Sequence, residues 1–513
     1  MHLKTVYITG STIYSYFLNK CDYHLWLEWF GDPGEKVSLD ENEDTKLLME
    51  YGIEHEDKII KDIQKKAECI EPSYRERNLD EGCQATRELM EKGSSYIYQG
   101  VLCQNKEIVN MIKEKQIQFP NMKFIPFFRG IPDILEKRDG KSKLGNYHYI
   151  VGDIKSSRKP KPYQKMQVTF YSWLLGDAQG RMPETGYIIP ITGEKEYFDI
   201  DLYWWMLKDF LEEELFEIAV SENLFYHYTG FCENCAWCGH CRKKAEQSND
   251  LSLLPGLAKR QKKLLNRNKI YTVSDAANKM DVKKLSNKWG LGTSGLERIK
   301  LQAQSTLSRE KIIKTPPANY LKEDASLEIY FDMESDPFSD LEYLYGIHIV
   351  DRKKGAKGTT EHFLAKSKKE EGTTFHRFLA RMKEIIDKVE KRGEKWVIYH
   401  YAHYESSHMK KLMGKYDDPH RILEKMLEEM IDLYRVIRET VVLPLPSYSI
   451  KDMARYKEVG FDWRDEEASA AMSYVWYNNY LKDGNEKWLE KIKIYNEDDL
   501  FATYKVKKWL SSL

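Results

Sequence analysis

Apolar and polar positions alternate most regularly in the last third of the chain, where they predict a sheet with helices packed on it. Apolar runs with a period of two predict strands at residues 327–333, 343–350, 361–365 and 395–402. Apolar residues at helical spacing follow the third and fourth strands, at residues 375–389 and 405–413. The resulting order, βββαβα, predicts a mixed sheet covered by helices.

The rest of the chain divides by composition into two further regions. Residues 1–245 mix helical and strand patterns, whereas the region that follows is rich in lysine and mostly helical. The segment 315–326 contains two prolines between polar residues, which is typical of a linker. We therefore predict an α/β multidomain chain with domains at 1–245, 246–320 and 321–513.

Composition indicates a globular protein but does not identify a binding partner. The 513 residues are 42% hydrophobic and 31% charged, as in ordinary globular proteins with apolar cores. No apolar run approaches the ~20 residues needed to cross a bilayer, and the first residues lack the apolar segment of a secretory signal. A cytoplasmic protein without membrane contact is expected. The net charge of −1 neither supports nor excludes binding to nucleic acid.

Two acids and a lysine in the first region form a pattern typical of metal-dependent hydrolases. Asp133 follows a Gly-Ile-Pro turn, and Asp153 and Lys155 end a predicted strand. Side chains two apart in a strand share a face, so Asp153 and Lys155 should point together. Two carboxylates brought together can hold Mg²⁺ or Mn²⁺, which lowers the pKa of a bound water. The lysine could position that water or stabilise the phosphorane.

Further residues complete a characteristic order along the first region. His55 lies in an amphipathic helical stretch, and Gln167 and Tyr171 lie four apart on one face of a later helix. The order resembles the PD-(D/E)XK nucleases of the RecB type, and more narrowly the iron–sulfur branch found in CRISPR-associated and helicase–nuclease proteins. The resemblance covers residues 1–245 and implies a restriction-endonuclease-like core that cleaves DNA, mostly single-stranded, with Mg²⁺ or Mn²⁺. The implied site residues are His55, Asp133 and Asp153 as metal ligands, with Lys155, Gln167 and Tyr171.

Cysteines are concentrated near the end of this region. Four of them lie three residues apart at Cys232, Cys235, Cys238 and Cys241, and Cys21 stands alone near the start. In a reducing compartment, clustered cysteines are more often metal ligands than disulfides. Ordinary thiols are expected at the remaining positions, Cys69, Cys83 and Cys103.

The same resemblance implies that the cysteines hold a 4Fe–4S cluster with a mostly structural role. Its implied ligands are Cys21, Cys232, Cys235 and Cys241. Cys238 could replace Cys241, because a C-x₂-C-x₂-C run would use the first three cysteines. The alternative is tetrahedral zinc, which uses the same four thiolates.

The lysine-rich middle region contains Gly290-Leu291-Gly292 between two helical segments. A glycine hairpin can expose backbone N–H groups at a helix N-terminus, where phosphate binds. The region weakly resembles a helix-hairpin-helix module that grips DNA. Its basic side chains could contact phosphates without reading sequence, at Lys259, Arg260, Lys262, Lys263, Arg267 and Lys269. The alternative is a solvated helical linker.

A second acidic site is predicted in the last region. Asp332 and Glu334 lie two apart in its first strand, Glu405 stands at a helix start after the fourth strand, and Tyr495 and Asp499 lie four apart in the terminal helix. Four acids from three elements could hold two metal ions. The tyrosine could orient the attacking water.

This second pattern resembles the RNase H-like 3′→5′ exonucleases of the DEDD type, in their tyrosine variety, over residues 325–513. The family usually has aspartate where this chain has Glu405. Asp432 is a rival acid for that position, although it is better placed to start a helix, and Asp498 is a lesser rival to Asp499. The departure at Glu405 leaves open a domain that keeps the fold as an inactive scaffold.

Together these patterns predict a metal-dependent DNA nuclease, in the first instance an exonuclease on single-stranded DNA with a second, 3′→5′ exonuclease-like site. The whole arrangement resembles a bacterial family of RecB-like nucleases with a fused RNase H-like domain. The alternatives are a DNA-binding or assembly module with one or both sites inactive, and an RNA-directed nuclease, since fold does not fix substrate. No P-loop pattern is present, so ATP-driven unwinding would need a helicase or another DNA-processing partner.

Overall fold

The computed structural model divides the chain into two compact units. It describes residues 4–38, 43–76, 78–104, 106–221, 223–289, 292–336, 339–355, 358–465 and 468–513. The first unit extends to His227, except for a short segment near position 43 that belongs with the second unit. The second unit covers Tyr228–Leu513 and therefore contains the cysteine run.

The first unit combines helices with two sheets. Its helices are α1 (Gly10–Asn19), α2 (Asp22–Phe30), α3 (Glu43–Gln64), α4 (Leu79–Lys92), α5 (Lys106–Gln118), α6 (Pro162–Gln179), α7 (Asp201–Asp209) and α8 (Leu215–Val220). Its strands are β1 (Lys4–Ile8), β2 (Cys69–Ile70), β3 (Tyr96–Tyr98), β4 (Leu102–Cys103), β5 (Phe124–Gly130), β6 (Ile134–Ser142), β7 (Gly145–Ile154), β8 (Thr185–Ile189) and β9 (Glu196–Asp199). The smaller sheet has the order β1-β5-β4, and the larger one β2-β3-β6-β7-β8-β9.

The larger sheet presents different layers on its two faces, as the alternation along β7 requires. Ile150 and Ile154 pack in one cluster with residues of α3, β6 and β8. Tyr149 and Val151 pack in another cluster with residues of α6. Since Asp153 alternates with Ile154, it lies on the α6 side. The prediction that Ile154 enters the layer opposite the acid–lysine pair is confirmed.

The second unit begins with the cysteine run and a group of short helices. These helices are α9 (Cys238–Gln247), α10 (Lys259–Arg267), α11 (Val273–Asn278), α12 (Val282–Trp289) and α13 (Thr293–Ser308). Apolar residues of α10 to α13 and of the segment before α10 form one core cluster, from Leu251 to Ala303. Gly290 and Leu291 of the expected hairpin lie outside the described residues, so the helix-hairpin-helix assignment stays a prediction.

One of the lysines expected to contact phosphate has a different role. The Lys262 ammonium is buried and lies 2.6 Å from Asp250 Oδ1. The same carboxylate oxygen accepts hydrogen bonds from the backbone N–H and the hydroxyl of Ser252. A buried ammonium in an ion pair cannot reach a phosphate at the surface, so the expectation for Lys262 was wrong. Its charge instead compensates a carboxylate in the core.

The helical group is joined to the rest of the second unit by buried polar contacts. The Gln302 amide donates to the Leu443 carbonyl and accepts from the Tyr448 hydroxyl, both at 2.7 Å. The segment expected to be a linker contains a short 3₁₀ helix, Pro317–Tyr320, and buries Leu321 in the core of the following sheet.

The last region contains a five-stranded mixed sheet and seven helices among the described residues. The strands are β10 (Ile312–Ile313), β11 (Leu327–Asp336), β12 (Leu341–Asp351), β13 (Thr359–Leu364), β14 (Trp396–His400), β15 (Met430–Asp432) and β16 (Val441–Val442). The helices are α14 (Glu371–Glu390), α15 (Tyr404–Met413), α16 (Ile422–Glu429), α17 (Leu433–Thr440), α18 (Ile450–Arg455), α19 (Ala470–Asp483) and α20 (Lys487–Leu510). The sheet has the order β13-β12-β11-β14-β15, while β10 pairs with β16. The predicted order βββαβα is confirmed.

The central strand β11 separates an apolar face from a polar one. Ile329, Phe331 and Met333 pack against α14 in one core cluster. The alternate residues, Glu328, Tyr330, Asp332 and Glu334, therefore point to the opposite side of the sheet. Helix α20 packs against β11 and β12, and its residues Leu500 and Val506 share a core cluster with Tyr330. Acidic side chains on this strand are thus enclosed beneath a helix.

Two cysteines of the first unit are joined by a disulfide. Cys83 of α4 and Cys103 of β4 form a disulfide with a Cα–Cα distance of 6.0 Å. The expectation that both are ordinary thiols was therefore wrong, because the fold brings them together from positions that no spacing motif links.

Within the described residues, no helix has the length and apolar character needed to cross a membrane.

Candidate functional site

Three carboxylates of the second unit converge beneath α20. Asp332 and Glu334 come from one face of β11, and Asp499 comes from α20. One oxygen from each lies within 4.8 Å of the others. Glu334 and Asp499 are buried, and Asp332 is half-buried. The sequence placed these acids in two elements, and the packing of helix on strand brings them to one point. We call Asp332, Glu334 and Asp499 the acidic triad.

Burial and mutual repulsion disfavour charge on the triad. Burial, followed by the neighbouring carboxylates, raises the pKa of Asp332 and of Glu334 well above the usual range. Burial also raises the pKa of Asp499 to about 7. Carboxylates held together in this way either take up protons or bind a cation. The triad therefore has the electrostatic character of a metal site.

Neutral donors hold two of the triad carboxylates in place. The Asn496 amide donates to Asp332 Oδ2 at 2.6 Å, and the Trp463 indole N–H donates to Asp499 Oδ1 at 2.8 Å. Position 346 must be glycine for the first contact, because a Cβ on Gly346 would lie 1.8 Å from Asn496 Oδ1. Sequence reasoning missed Asn496, Trp463 and Gly346. Only Asn496, one residue after Tyr495 in the motif helix, had a signal that could have drawn attention to it.

Hydroxyl groups are hydrogen-bonded to two carboxylates of the triad. The Tyr495 hydroxyl is hydrogen-bonded to Asp499, as the four-residue spacing in α20 allows. Ser473 of α19 is hydrogen-bonded to Glu334, and its Oγ lies 2.8 Å from the hydroxyl of the buried Tyr343. Each carboxylate of the triad thus has a donor that fixes its orientation.

The predicted third acidic position lies beside the triad. Glu405 is buried at the start of α15, and its Oε2 lies 3.1 Å from His400 Nδ1. Its charge raises the pKa of both Asp332 and Glu334. Glu405 is not among the carboxylates that meet within 4.8 Å in the described residues, so its effect on the triad is electrostatic and comes from outside that group.

The two rival acids have other roles. Asp432 caps α17, since its Oδ1 accepts from the backbone N–H groups of Tyr434 and Ala402, both at 2.9 Å. Asp498 forms an ion pair with Arg464, whose Nε lies 2.7 Å from Oδ1. The expectations that Asp432 starts a helix and that Asp498 is the lesser candidate are consistent with these contacts.

Comparison with known families agrees with this geometry. Residues 329–511 match a model of the RNase_H superfamily, RNase_H_2. The C-terminal region is an RNase H-like domain. The matched segment contains the whole acidic triad. The N-terminal fold is not identified by this match, and no curated protein matches the chain.

The predicted site of the first unit is also assembled in part. Asp133 Oδ2 accepts from the backbone N–H of Ile154 at 2.6 Å, and the Lys155 ammonium lies 2.5 Å from Asp153 Oδ2. Burial and the Asp153 charge raise the pKa of Asp133 well above the usual range. Asp133, Asp153 and Lys155 therefore lie together, with Asp153 buried and the other two half-buried.

The predicted helix residues border this pair of acids. The Gln167 amide donates to the Tyr171 hydroxyl at 3.1 Å. Burial, followed by the charges of Asp153 and Asp133, raises the pKa of Tyr171, so the tyrosine faces the two acids. Gln167 and Tyr171 are thus both brought to the site.

His55 occupies a less direct position. Its ring is hydrogen-bonded to a backbone carbonyl at the end of β8, and burial lowers its pKa. Its Nε2 atom is buried and has no hydrogen-bond partner among the described residues. The neighbouring Glu56, which sequence reasoning missed, raises the pKa of Asp133. His55, Asp133 and Asp153 do not meet within 4.8 Å in the described part of the chain.

The cysteine run forms a series of tight turns. The backbone N–H of Cys235 donates to the Cys232 carbonyl and that of Cys238 donates to the Cys235 carbonyl, both at 2.9 Å. Cys241 follows one turn into α9. Within the described residues, no three cysteine sulfurs lie within 4.8 Å of one another. Cys21 begins α2 in the first unit, where its sulfur accepts from the His24 N–H at 3.4 Å.

The acidic triad predicts a pH-dependent response to metal. A carboxyl group whose pKa is raised by folding makes the folded state less stable as the pH rises from its ordinary pKa to its raised one. For Asp499 that range is 3.8 to about 7. The metal-free domain should therefore unfold at a lower temperature at pH 8 than at pH 5.5. Saturating Mn²⁺ should raise the transition at pH 8 by roughly 5–10 °C, and by less at pH 5.5, where protons compete for the carboxylates.

Differential scanning calorimetry of the full chain, with EDTA or with MnCl₂, measures both effects. Asp499→Asn should make the metal-free transition less dependent on pH and should remove most of the Mn²⁺ shift. An equal Mn²⁺ shift at both pH values, unchanged in Asp499→Asn, would show that the triad is not the binding site.

Proposed function

We propose that the RNase H-like domain hydrolyses phosphodiester bonds of nucleic acid with divalent metal ions held by Asp332, Glu334 and Asp499. The observation that carries the proposal is the convergence of three carboxylates from a strand and a helix within 4.8 Å. Oxygen ligands of this kind suit Mg²⁺ and Mn²⁺. The match to the RNase_H superfamily suggests nuclease-like activity for the same residues.

A divalent ion at the triad would lower the pKa of a bound water and neutralise charge on the phosphate. Asn496 and Trp463 keep the Asp332 and Asp499 carboxylates aimed at the ion, a role that outer hydrogen bonds commonly have in metal sites. The Tyr495 hydroxyl, bonded to Asp499, is placed to orient the attacking water. Lys451, whose charge acts on Asp499, adds a cation that favours an anionic substrate.

The proposed polarity and substrate rest on the resemblance described for the sequence. We propose 3′→5′ removal of nucleotides from single-stranded DNA. An RNA-directed nuclease is the alternative in the same class, and digestion of DNA and RNA of identical sequence separates the two. A DNA-binding or assembly module with inactive sites is the alternative in another class, and it is favoured by one observation: Glu405 lies beside His400 and outside the triad.

We also propose that the first unit is a second metal-dependent nuclease site, of the PD-(D/E)XK type. The support comes from contacts among residues of the first unit. The buried Asp153 lies beside the half-buried Asp133 and Lys155, and Tyr171 of α6 faces the two acids. His55 presents a buried Nε2 atom that has no partner among the described residues, as a metal-ligating nitrogen would before an ion is bound. Lys155 would stabilise negative charge on the phosphate.

For the cysteine run we propose a 4Fe–4S cluster held by Cys21, Cys232, Cys235 and Cys241. Three thiolates on one zinc ion at ~2.3 Å would lie within roughly 4.6 Å of one another, and no three sulfurs do so among the described residues. The choice of the iron–sulfur cluster over zinc therefore rests on the resemblance of the sequence.

The acids of α20 provide a matched test of the C-terminal site. Asp499→Asn should lower Mn²⁺-dependent cleavage at this site by at least about 100-fold, because it removes a metal ligand. Asp498→Asn, one position away, changes a carboxylate that pairs with Arg464 and should keep most of the activity. The assay follows single nucleotides released from an end-labelled oligonucleotide. Equal activity in both variants would rule out the triad as the catalytic centre.

Separate substitutions test whether the chain has two nuclease sites. Asp153→Asn and Asp332→Asn should each remove a different subset of products from end-labelled single-stranded DNA, and the double variant should remove all cleavage. Lys155→Met should act like Asp153→Asn, since both change the same ion pair. If Asp332→Asn alone removes every product, the first unit is not a nuclease.

The metal content of the cysteine run can be measured directly. Protein purified without oxygen should be brown and contain about four iron and four sulfide per chain, as expected for one cluster. Cys241→Ser should lose most of the iron, while Cys238→Ser should keep it if Cys238 is the extra cysteine. The reverse result would exchange these two assignments, and stoichiometric zinc without iron would contradict the cluster.

A further inference from the structure

An exposed aromatic ring lies at the edge of the acidic triad. Tyr404, the first residue of α15, is 38% exposed. Its ring stacks on His408, with centroids 4.0 Å apart and an angle of 25° between the planes. The imidazole covers one side of the phenol ring, which leaves the other side for a second planar group.

Three contacts place this ring next to the triad. The Tyr404 hydroxyl is hydrogen-bonded to the hydroxyl of Ser335, the residue that follows Glu334 in β11. The next residue in the helix, Glu405, is buried and acts electrostatically on Asp332 and Glu334. The charges of Glu334 and Asp332 also act directly on the Tyr404 phenol. A ligand at the triad would therefore have an aromatic surface beside it.

The ring is also held in a fixed orientation. Its hydroxyl is fixed by Ser335, and the imidazole behind it is fixed by Glu342, whose Oε1 lies 2.8 Å from His408 Nδ1. Glu342 is itself buried and also contacts the Lys411 ammonium at 3.1 Å. A side chain that is already ordered loses little conformational entropy when it binds a ligand. An exposed tyrosine with no binding role would not require this support.

We propose that Tyr404 is a nucleobase-binding subsite, on which a base next to the scissile phosphate stacks while the phosphate lies at the triad. The inference rests on the proposed function and deepens it, because it names a residue that would hold a base of the substrate. A base inside a duplex has both of its faces covered by neighbouring base pairs, so a protein ring reaches a base most readily in a single strand or at a frayed end. The subsite therefore favours single strands and frayed ends over duplex, and it accepts any base, since every base has an aromatic face.

A purely structural role would give different behaviour. Residues four apart on a helix can stabilise it through ring contacts alone, and in that case Tyr404 and His408 would only secure the first turn of α15. Removing the ring would then lower stability without affecting one particular nucleotide. A readout that reports on a single base separates the two roles.

The experiment uses the full chain with Ca²⁺, at a concentration that permits binding, and single-stranded oligonucleotides carrying 2-aminopurine at one of the last three positions. Stacking on a tyrosine ring quenches the fluorescence of this base. Quenching should occur at one position with the unchanged protein and with Tyr404→Phe, which keeps the ring. Tyr404→Ala should abolish it and weaken binding by about 5- to 150-fold, the range expected for one stacked base.

Two controls define the result. Tyr320→Ala removes a similarly exposed tyrosine, 40% exposed, in the same unit and should leave both quenching and affinity unchanged. An oligonucleotide without a base at the quenched position should bind the unchanged protein and Tyr404→Ala equally. Thermal unfolding of each variant shows whether the ring acts only through stability.

The outcomes separate this inference from the proposed function. If Mn²⁺-dependent cleavage occurs and is lost in Asp332→Asn, but Tyr404→Ala and Tyr404→Phe quench and bind alike, the subsite is wrong and the nuclease assignment stands. If quenching depends on the ring but no cleavage occurs with any divalent metal, the subsite stands and the domain binds strands without cutting them. If a duplex binds as tightly as a single strand and quenches equally, the inferred substrate class is wrong.

Discussion

The packing of α20 on the polar face of β11 determines the chemistry of the second unit. At one end of the contact, the Lys507 ammonium lies 2.6 Å from Glu328 Oε1, so a buried carboxylate meets a cation from the protein itself. At the other end, Asp332 and Asp499 accept hydrogen bonds from neutral groups, namely the Asn496 amide, the Trp463 indole and the Tyr495 hydroxyl. The same strand and helix thus build a balanced ion pair and, about two turns away, an acidic site that a metal ion would balance.

Among the described residues, Glu328 has a lysine partner and the triad does not. The triad therefore lowers the stability of the metal-free fold, and the same lack of a partner allows it to function. Burying a carboxylate without a counter-charge is expensive, and the usual relief is an ion pair or a proton. The first unit uses an ion pair at its own acids, where Lys155 contacts Asp153, although the pKa of Asp133 stays raised. The RNase H-like domain leaves its acids to compete for protons or divalent cations. Carboxylates that accept hydrogen bonds from neutral donors keep a negative charge that a divalent cation can neutralise.

Much of the C-terminal fold could be predicted from sequence, because its strands and helices have clear periodicity. The four predicted strands and two helices are present at nearly the predicted positions. The triad could also be predicted, since Asp332 and Glu334 share a strand face and Asp499 lies one helical turn after Tyr495. Trp463 and Gly346 could not, because they meet the site through long-range packing that leaves no spacing pattern. The same reason hid the Cys83–Cys103 disulfide and the burial of Lys262.

Glu405 bears on how many ions the site can hold. Its charge acts on Asp332 and Glu334 from just outside the triad, so four carboxylates contribute to one buried region. One divalent cation would balance only two of these charges, and the rest would remain protonated or require a second cation. The backbone of Glu405 lies at the start of α15, at the edge of the site. Its side chain is longer than that of aspartate and can still bring a fourth negative charge to the acidic region. Glutamate in place of the expected aspartate therefore keeps a negative charge that acts on the triad.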